Sequence, residues 1–191
     1  MLTEVKNYLT KDEDLVVCNQ LYIVESSQIC FSCKKETRVI CFATDDFWLF
    51  PSERRDFSFA SLNKYHIKNR FKMFSLSENL PPVLEEYLKS HFNVDHKYSK
   101  QANAIYFANC CGHCNVLQGN YHISPCEPDT PFLICGTEEL NKLRFYSVRL
   151  NQNLSIIRGE HFYMFYNDWE EEDLYSLIKE NVTLNNTGLI V

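Results

Sequence analysis

The sequence predicts an α+β protein: an antiparallel sheet that carries two cysteine-bearing hairpins, with one or two helices packed on it. Two observations predict the hairpins. "QLYIVESSQI" (20–29) and "TRVICFA" (37–43) are rich in β-branched and aromatic residues and flank the tight segment "CFSCKK", and "NAIYFAN" with "NVLQGNYHI" flanks "CCGHC" in the same way. A third observation predicts a helix. "SENLPPVLEEYLKSHF" opens on Ser, Asn and two prolines, puts Glu85 and Glu86 in a first turn, and sets Leu84, Tyr87, Leu88 and Phe92 on one face.

The remaining elements follow in chain order. "KLRFYSVRL" and "HFYMFYN" read as strands. A second helix is predicted to start near Asp168, where Asp168 and Glu171 have capping-box spacing and Trp169, Leu174, Leu177 and Ile178 supply an apolar side. The tail "VTLNNTGLIV" reads either as a last strand or as loose chain. With 191 residues and no linker, low-complexity tract or solenoid repeat, the expectation is a single domain over 1–191. Within it, 20–43 and 103–123 would form a split ribbon, with 78–92 as a helical insertion.

Composition narrows the function classes. A net charge of −6 and a pI near 5.5 argue against a surface that binds nucleic acid all over, because neutralising phosphates needs clustered Lys and Arg. The N-terminus has no basic stretch before a long apolar run, and no window approaches eighteen consecutive apolar residues. These features predict a cytoplasmic protein without a membrane association. Nine cysteines in a reducing compartment are a poor disulfide framework, and the odd count leaves one unpaired. Metal binding is the better use for some of them.

The pairs Cys30/Cys33 and Cys111/Cys114 both have C-x-x-C spacing. A two-residue gap lets both thiolates of a turn face one ion, and two such turns complete the tetrahedral, all-sulfur shell that zinc accepts. The predicted cofactor is therefore a structural Zn2+ held by Cys30, Cys33, Cys111 and Cys114, with the hairpins acting as zinc knuckles. A rubredoxin-like iron cage is the chemical alternative. Asn115 follows the last cysteine where a left-handed residue is often needed, and Gly112 eases the second turn. The usual spacing between pairs is about 15–20 residues, whereas 77 residues separate Cys33 from Cys111. The fold must then bring the turns together. Two reduced, unrelated turns are the plain alternative. Cys110 competes with Cys111 but would leave three residues before Cys114. His113 is expected to point outward, and Cys18 and Cys41 read as core. His122, Cys126 and Cys135 with His91 or His96 have no spacing that specifies a site.

The residues "CFSCKKETRVI", followed by "YSKQANAIYFANCCGHCNVLQGNYHI", resemble a group of largely uncharacterised bacterial and phage zinc-ribbon-like proteins. These carry C-x-x-C-x-x-x-T-x-V-I and then Y-S, A-N-x-C-x-x-C and L-Q-G. The likeness runs from Cys30 to Ile123. It rests most on Asn109, Cys111, Cys114, Gln118 and Gly119, with Asn115 standing where a glycine is expected. What it implies is zinc on Cys30, Cys33, Cys111 and Cys114; it supplies no reaction.

A closed four-thiolate shell leaves no position for water or substrate, so the expected role is non-enzymatic recognition of a macromolecule, nucleic acid or protein. For nucleic acid the candidate residues are Arg54, Arg55, Lys64, Lys68, Arg70 and Lys72, which alternate with Phe57, Phe59, Tyr65, Phe71 and Phe74. Ordinary strand alternation would instead bury those rings in the core. For a protein partner the candidate is the acidic run Glu170 to Asp173, which is equally an ordinary solvated helix start. The enzyme alternative is a hydrolase or nuclease built on His96 with Asp95 or His161 with Glu160. Neighbours in a strand point to opposite faces, so neither pair is a site by itself. There is no H-E-x-x-H, G-x-S-x-G, P-loop or Rossmann glycine pattern, and no small-molecule cofactor is expected.

Overall fold

A computed structural model describes residues 13–50, 65–124, 130–157, 165 and 171–191. In chain order these form β1 (Glu13–Val17), β2 (Gln20–Ile29), β3 (Glu36–Leu49), β4 (His66–Phe74), α1 (Pro82–His91), β5 (Val94–Ser99), β6 (Ala104–Cys110), β7 (Leu117–Gln118), α2 (Asn120–Ile123), α3 (Thr137–Leu140), β8 (Arg144–Arg149), β9 (Leu154–Ile157), α4 (Glu171–Asn181) and β10 (Leu184–Ile190). The α+β class holds. The single predicted sheet is in fact two: a seven-stranded sheet ordered β10-β8-β2-β3-β1-β9, with β4 also on β3, and a three-stranded sheet ordered β5-β6-β7.

The large sheet curls because its strands bend. β1 and β2 are nearly continuous, separated at Cys18 and Asn19, where Asn19 takes φ 57°, a left-handed conformation that Asn tolerates. Both pair antiparallel with β3, β1 along its C-terminal half and β2 along its N-terminal half. Opposite β4 the register of β3 shifts between Thr44 and Asp46, the kind of irregularity that bends a strand and increases its twist. One departure from the antiparallel expectation lies at an edge: β10 runs parallel to β8.

The continuous apolar runs in β2 and β3 are explained by burial on both faces. Leu21, Ile23, Ile40 and Phe42 point into one core, where Leu84 and Leu88 from α1, Phe92 just after it and Phe107 from β6 cover the sheet. Tyr22, Val24, Val39, Cys41 and Ala43 point into the other, covered by Phe132, Ile134, Leu140, Leu174 and Ile178. Buried Glu25, on the Leu21 and Ile23 side of β2, has its charge matched: Arg38 donates to both carboxylate oxygens at 2.8 and 2.9 Å, and the Tyr146 hydroxyl donates at 2.8 Å. Such pairing is what a buried carboxylate needs.

Helix α1 falls within the predicted 78–92, and its buried positions Leu84 and Leu88 are those the periodicity selected. The segment between the cysteine turns holds more than this helix, since β3, β4, β5 and β6 all lie there as well. "KLRFYSVRL" contains β8, and the tail forms β10. The start of the second predicted helix, with Asp168 and Trp169, and the strand "HFYMFYN" apart from Phe165 lie outside the described residues. Phe165 is buried and its N–H donates to the Met73 carbonyl at 2.9 Å. The second hairpin is shorter than predicted: β7 spans two residues, and "NYHI" turns into α2.

Candidate metal centre

Both cysteine turns are built on the same local plan. In the first, the Cys30 N–H donates to the Lys35 carbonyl at 2.9 Å and the Lys34 N–H returns to the Cys30 carbonyl at 3.0 Å. In the second, the Cys111 N–H donates to the Val116 carbonyl at 2.8 Å and the Asn115 N–H to the Cys111 carbonyl at 2.9 Å. The residue after each pair's second cysteine has positive φ, 60° at Lys34 and 56° at Asn115. Asn suits that conformation, whereas Lys adopts it against its steric preference. The first turn closes the β2–β3 hairpin of the large sheet, and the second links β6 to β7 in the small one.

The fold brings the two turns face to face. The Sγ atoms of Cys30, Cys33, Cys111 and Cys114 all lie within 4.8 Å of one another. Cys30 and Cys114 are 3.7 Å apart, and Cys33 and Cys111 3.6 Å. Four sulfurs each roughly 2.3 Å from a central ion stand about 3.8 Å apart at the corners of a tetrahedron, so this set fits a tetrahedral metal. The distances are far beyond a disulfide bond, and all four cysteines are free.

Electrostatics within the cluster favour a cation. Burial raises the Cys111 thiol, but the N–H groups of Cys114 and His113 together with hydrogen bonds from the Cys30 and Cys33 thiols bring it down to about 6. Burial likewise raises Cys30, and the N–H groups of Cys33 and Ser32 bring it below its ordinary value. For Cys33 the N–H of Lys35 lowers the thiol, yet desolvation and the three adjacent sulfurs lift it to about 11. Cys33, so raised, resists ionising beside the other sulfurs. A divalent ion at their centre removes that conflict.

Side chains around the sulfurs tie the two sheets together. Asn109, 1% exposed, uses both ends of its amide on β3: Oδ1 accepts from the Ile40 N–H at 2.7 Å and Nδ2 donates to the Ile40 carbonyl at 2.9 Å. Ile40 sits just beyond the last β3 residue paired with β4, so the Asn109 amide takes the place a neighbouring strand would have. The Gly112 N–H donates to Thr37 Oγ1 at 3.0 Å, and His113 Nε2 lies 2.9 Å from the Glu36 carbonyl. A carbonyl oxygen only accepts, so that imidazole nitrogen carries the proton. Gln118 Nε2 donates to Cys30 Sγ at 3.5 Å and to the Val116 carbonyl at 3.1 Å, while its Oε1 accepts from Gln28 at 3.1 Å. Polar groups of this kind orient ligands and tune a metal site.

The competing ligands fall elsewhere. Cys110 Sγ points to the Ala108 carbonyl at 3.8 Å, and Cys41 is fully buried among apolar residues. Cys126 lies outside the described residues. Cys135 and His122 are exposed and join no metal-like group among the described residues. His96 Nδ1 lies 3.6 Å from Glu85, and Asp95 instead accepts from the His96 backbone N–H. His161 and Glu160 lie outside the described residues.

Of the six basic residues proposed for nucleic acid, Lys68, Arg70 and Lys72 fall within the described residues. Arg54, Arg55 and Lys64 lie outside the described residues. Lys68 is exposed with its ammonium 3.7 Å from Asp46, and Arg70 is exposed, but Lys72 is only 5% exposed. Phe71 and Phe74 are buried in different cores, one on each face of β4, so these rings pack inside through burial on both faces rather than through simple alternation.

One cluster escaped the sequence reading. Cys18, read as core, meets Asp46 and His66, with ligand-type atoms within 4.8 Å of one another. It is assembled by the Asn19 bend and the β3 irregularity, and no sequence spacing encodes it. Asp46 is already supplied with donors: Asn19 Nδ2 at 2.6 Å on one oxygen and His66 Nε2 at 2.6 Å on the other. The His66 ring stacks on Trp48 with centroids 4.4 Å apart, and burial pushes the Cys18 thiol up to about 12. A neutral thiol beside a hydrogen-bonded carboxylate and a stacked imidazole describes a packed polar junction.

Among the described residues no helix is long and apolar enough to cross a membrane. Comparison with protein-family models, curated proteins and solved structures finds no match to this chain.

Proposed function

We propose that Cys30, Cys33, Cys111 and Cys114 hold one zinc ion as a structural clasp between the two sheets, and that the protein is a non-enzymatic recognition module for a macromolecular partner. The observation that carries the clasp is the tetrahedral spacing of four free sulfurs supplied by two turns of the same backbone design. Four thiolates saturate the ion, so its chemistry here is cohesion rather than activation of water. Each cysteine pair fixes its own turn, and Asn109, Thr37 and Gln118 hold the turns in register. The ion's binding energy then becomes folding energy, about 10–16 kcal/mol in small structural zinc peptides.

The all-sulfur shell that two C-x-x-C turns can form supports zinc, and the knuckle description of the hairpins, a zinc-ribbon relationship and a bacterial or phage-infected cytoplasm are proposed with it. Recognition of nucleic acid or protein is the function left to a chain whose metal serves cohesion.

Elemental analysis tests the clasp. The expected result is about one zinc per chain, lost on Cys33→Ser or Cys114→Ser and retained on Cys110→Ser. Chelation should also lower the thermal midpoint of the parent protein. Purified protein without a stoichiometric metal, or a Cys110→Ser variant as depleted as Cys114→Ser, would overturn it.

A further inference from the structure

The first cysteine turn presents an aromatic residue to solvent: Phe31, between the two cysteines, is 59% exposed. It forms one wall of a cleft of about 810 Å3 whose opposite side is built from the β5–β6 connection, the second cysteine turn and α2. Tyr98, at 56% exposed, and Tyr121, at 48%, add two more rings, and Lys97, Lys100 and His122 also line it. The Tyr98 ring is fixed by its hydroxyl, which donates to Asn103 Oδ1 at 2.8 Å, and Tyr121 meets His122 edge-on at 5.5 Å. Held aromatic faces of this sort lose little entropy when a flat ligand stacks on them.

The charge of the cleft differs from that of the protein. The chain carries −6 overall, yet among the described residues no Asp or Glu lines the cleft, while two lysines do. Lys97 is loosely paired with Asp95 at 3.9 Å, at the outer limit of an ion pair, and Lys100 is exposed. An occupant matching these features has flat rings at intervals and anionic groups between them. A single strand of nucleic acid has both, whereas a duplex hides its base faces and an acidic peptide leaves the rings unmatched.

We infer that this cleft binds single-stranded nucleic acid, with bases stacked on Phe31, Tyr98 and Tyr121 and phosphates near Lys97 and Lys100. This site uses residues other than those of β4, where Phe71 and Phe74 are buried. It rests on the recognition role proposed above, and the clasp contributes by fixing Phe31 beside Asn115 and Val116, which line the same cleft.

The test is fluorescence anisotropy of labelled oligo(dT), oligo(U) and a duplex of equal length with the full chain, with metal content measured on the same samples. Single strands should bind more tightly than the duplex, and tighter binding of oligo(U) than of oligo(dT) would assign RNA through the ribose hydroxyl. Tyr98→Ala and Tyr121→Ala should each weaken binding roughly 5- to 150-fold, the effect of losing one stacked base. Tyr98→Leu, which keeps apolar bulk without a flat face, should weaken it in the same direction while retaining metal. The double variant Lys97→Gln/Lys100→Gln should flatten the dependence of log affinity on log salt by about 1.4, or about 0.7 per cation.

The inference is overturned if zinc-loaded protein fails to bind single strands at low salt, or binds duplex equally well. Displacement by polyglutamate as effective as by unlabelled oligonucleotide, or tyrosine variants that bind like the parent, would also overturn it. Metal-free protein that still binds through Tyr98 and Tyr121 would remove the clasp and leave the cleft standing.

Discussion

Replacing Asn109 with Ala removes the amide that completes the edge of β3. In the parent both polar atoms of that amide are used on Ile40, at 2.7 and 2.9 Å, and both residues are about 1% exposed. Truncation leaves one buried N–H and one buried carbonyl without their partner. Each such group costs about 1–3 kcal/mol, which places the loss at roughly 2–6 kcal/mol, nearer the lower figure if water enters the space left behind. Against a typical total of about 5–15 kcal/mol this is large, and a protein of this size should lose about 4–24 °C in thermal midpoint. Asn109→Asp separates the hydrogen bonds from packing volume. Its carboxylate still accepts from the Ile40 N–H but sets a second oxygen against the Ile40 carbonyl. A proton there restores the donor, so the folded state raises that carboxyl's pKa. Stability of the Asp variant should therefore recover as pH falls through the carboxyl range and decline as it rises. Urea unfolding of metal-loaded protein at acidic and neutral pH measures both variants, with an unchanged m-value as the check on two-state behaviour. An Asn109→Ala protein within about 0.5 kcal/mol of the parent would refute the reasoning.

Two further substitutions test the local readings. A Cβ on Gly112 would lie 2.7 Å from Asn93 Nδ2, the end of an exposed side chain that can move aside, and the backbone there needs no left-handed angle. Gly112→Ala should thus keep its zinc and change stability by less than about 1 kcal/mol; metal loss by elemental analysis would show the glycine to be essential. At Asp45, burial raises the carboxyl pKa despite the Tyr22 hydroxyl donating to it at 3.2 Å. A raised folded-state value means that ionisation is harder in the folded protein, so this group favours folding at low pH and disfavours it as pH rises. Asp45→Asn should accordingly be more stable than the parent at neutral pH, with the advantage shrinking toward acid; urea midpoints that keep a constant gap across that range would contradict the assignment.

The four-cysteine cluster was legible because C-x-x-C spacing is a local property, and so was the left-handed residue at Asn115. Its counterpart at Lys34 was not, since lysine carries no propensity for that angle. Helix α1 could be read from Leu84 and Leu88, whose spacing reflects one buried face. β2 and β3 could be read as strands, but their double-sided burial, which separates two cores, appears only when α1 and α4 are placed on opposite sides. Short β9 and the two-residue β7 carry too few residues for a period to show. That Lys72 is buried, and that Cys18 meets His66, follow from pairings of distant segments and a shifted register in β3, which no window of sequence contains.

The two sulfur pairs belong to turns that are distant along the chain, and this sets an order of assembly. Each turn needs only its own hairpin, but the shared shell needs the 77 intervening residues to have been brought into a closed loop. Closing a flexible loop of that length costs about (3/2)RT ln n, near 4 kcal/mol before any contact is made. Small zinc fingers begin folding around their ion; an ion bound by this cluster would instead join plates already aligned, as a rivet does. A newly made chain starved of metal would then have its strands formed and its seam still open, and supply of the ion would govern how long that seam stays exposed.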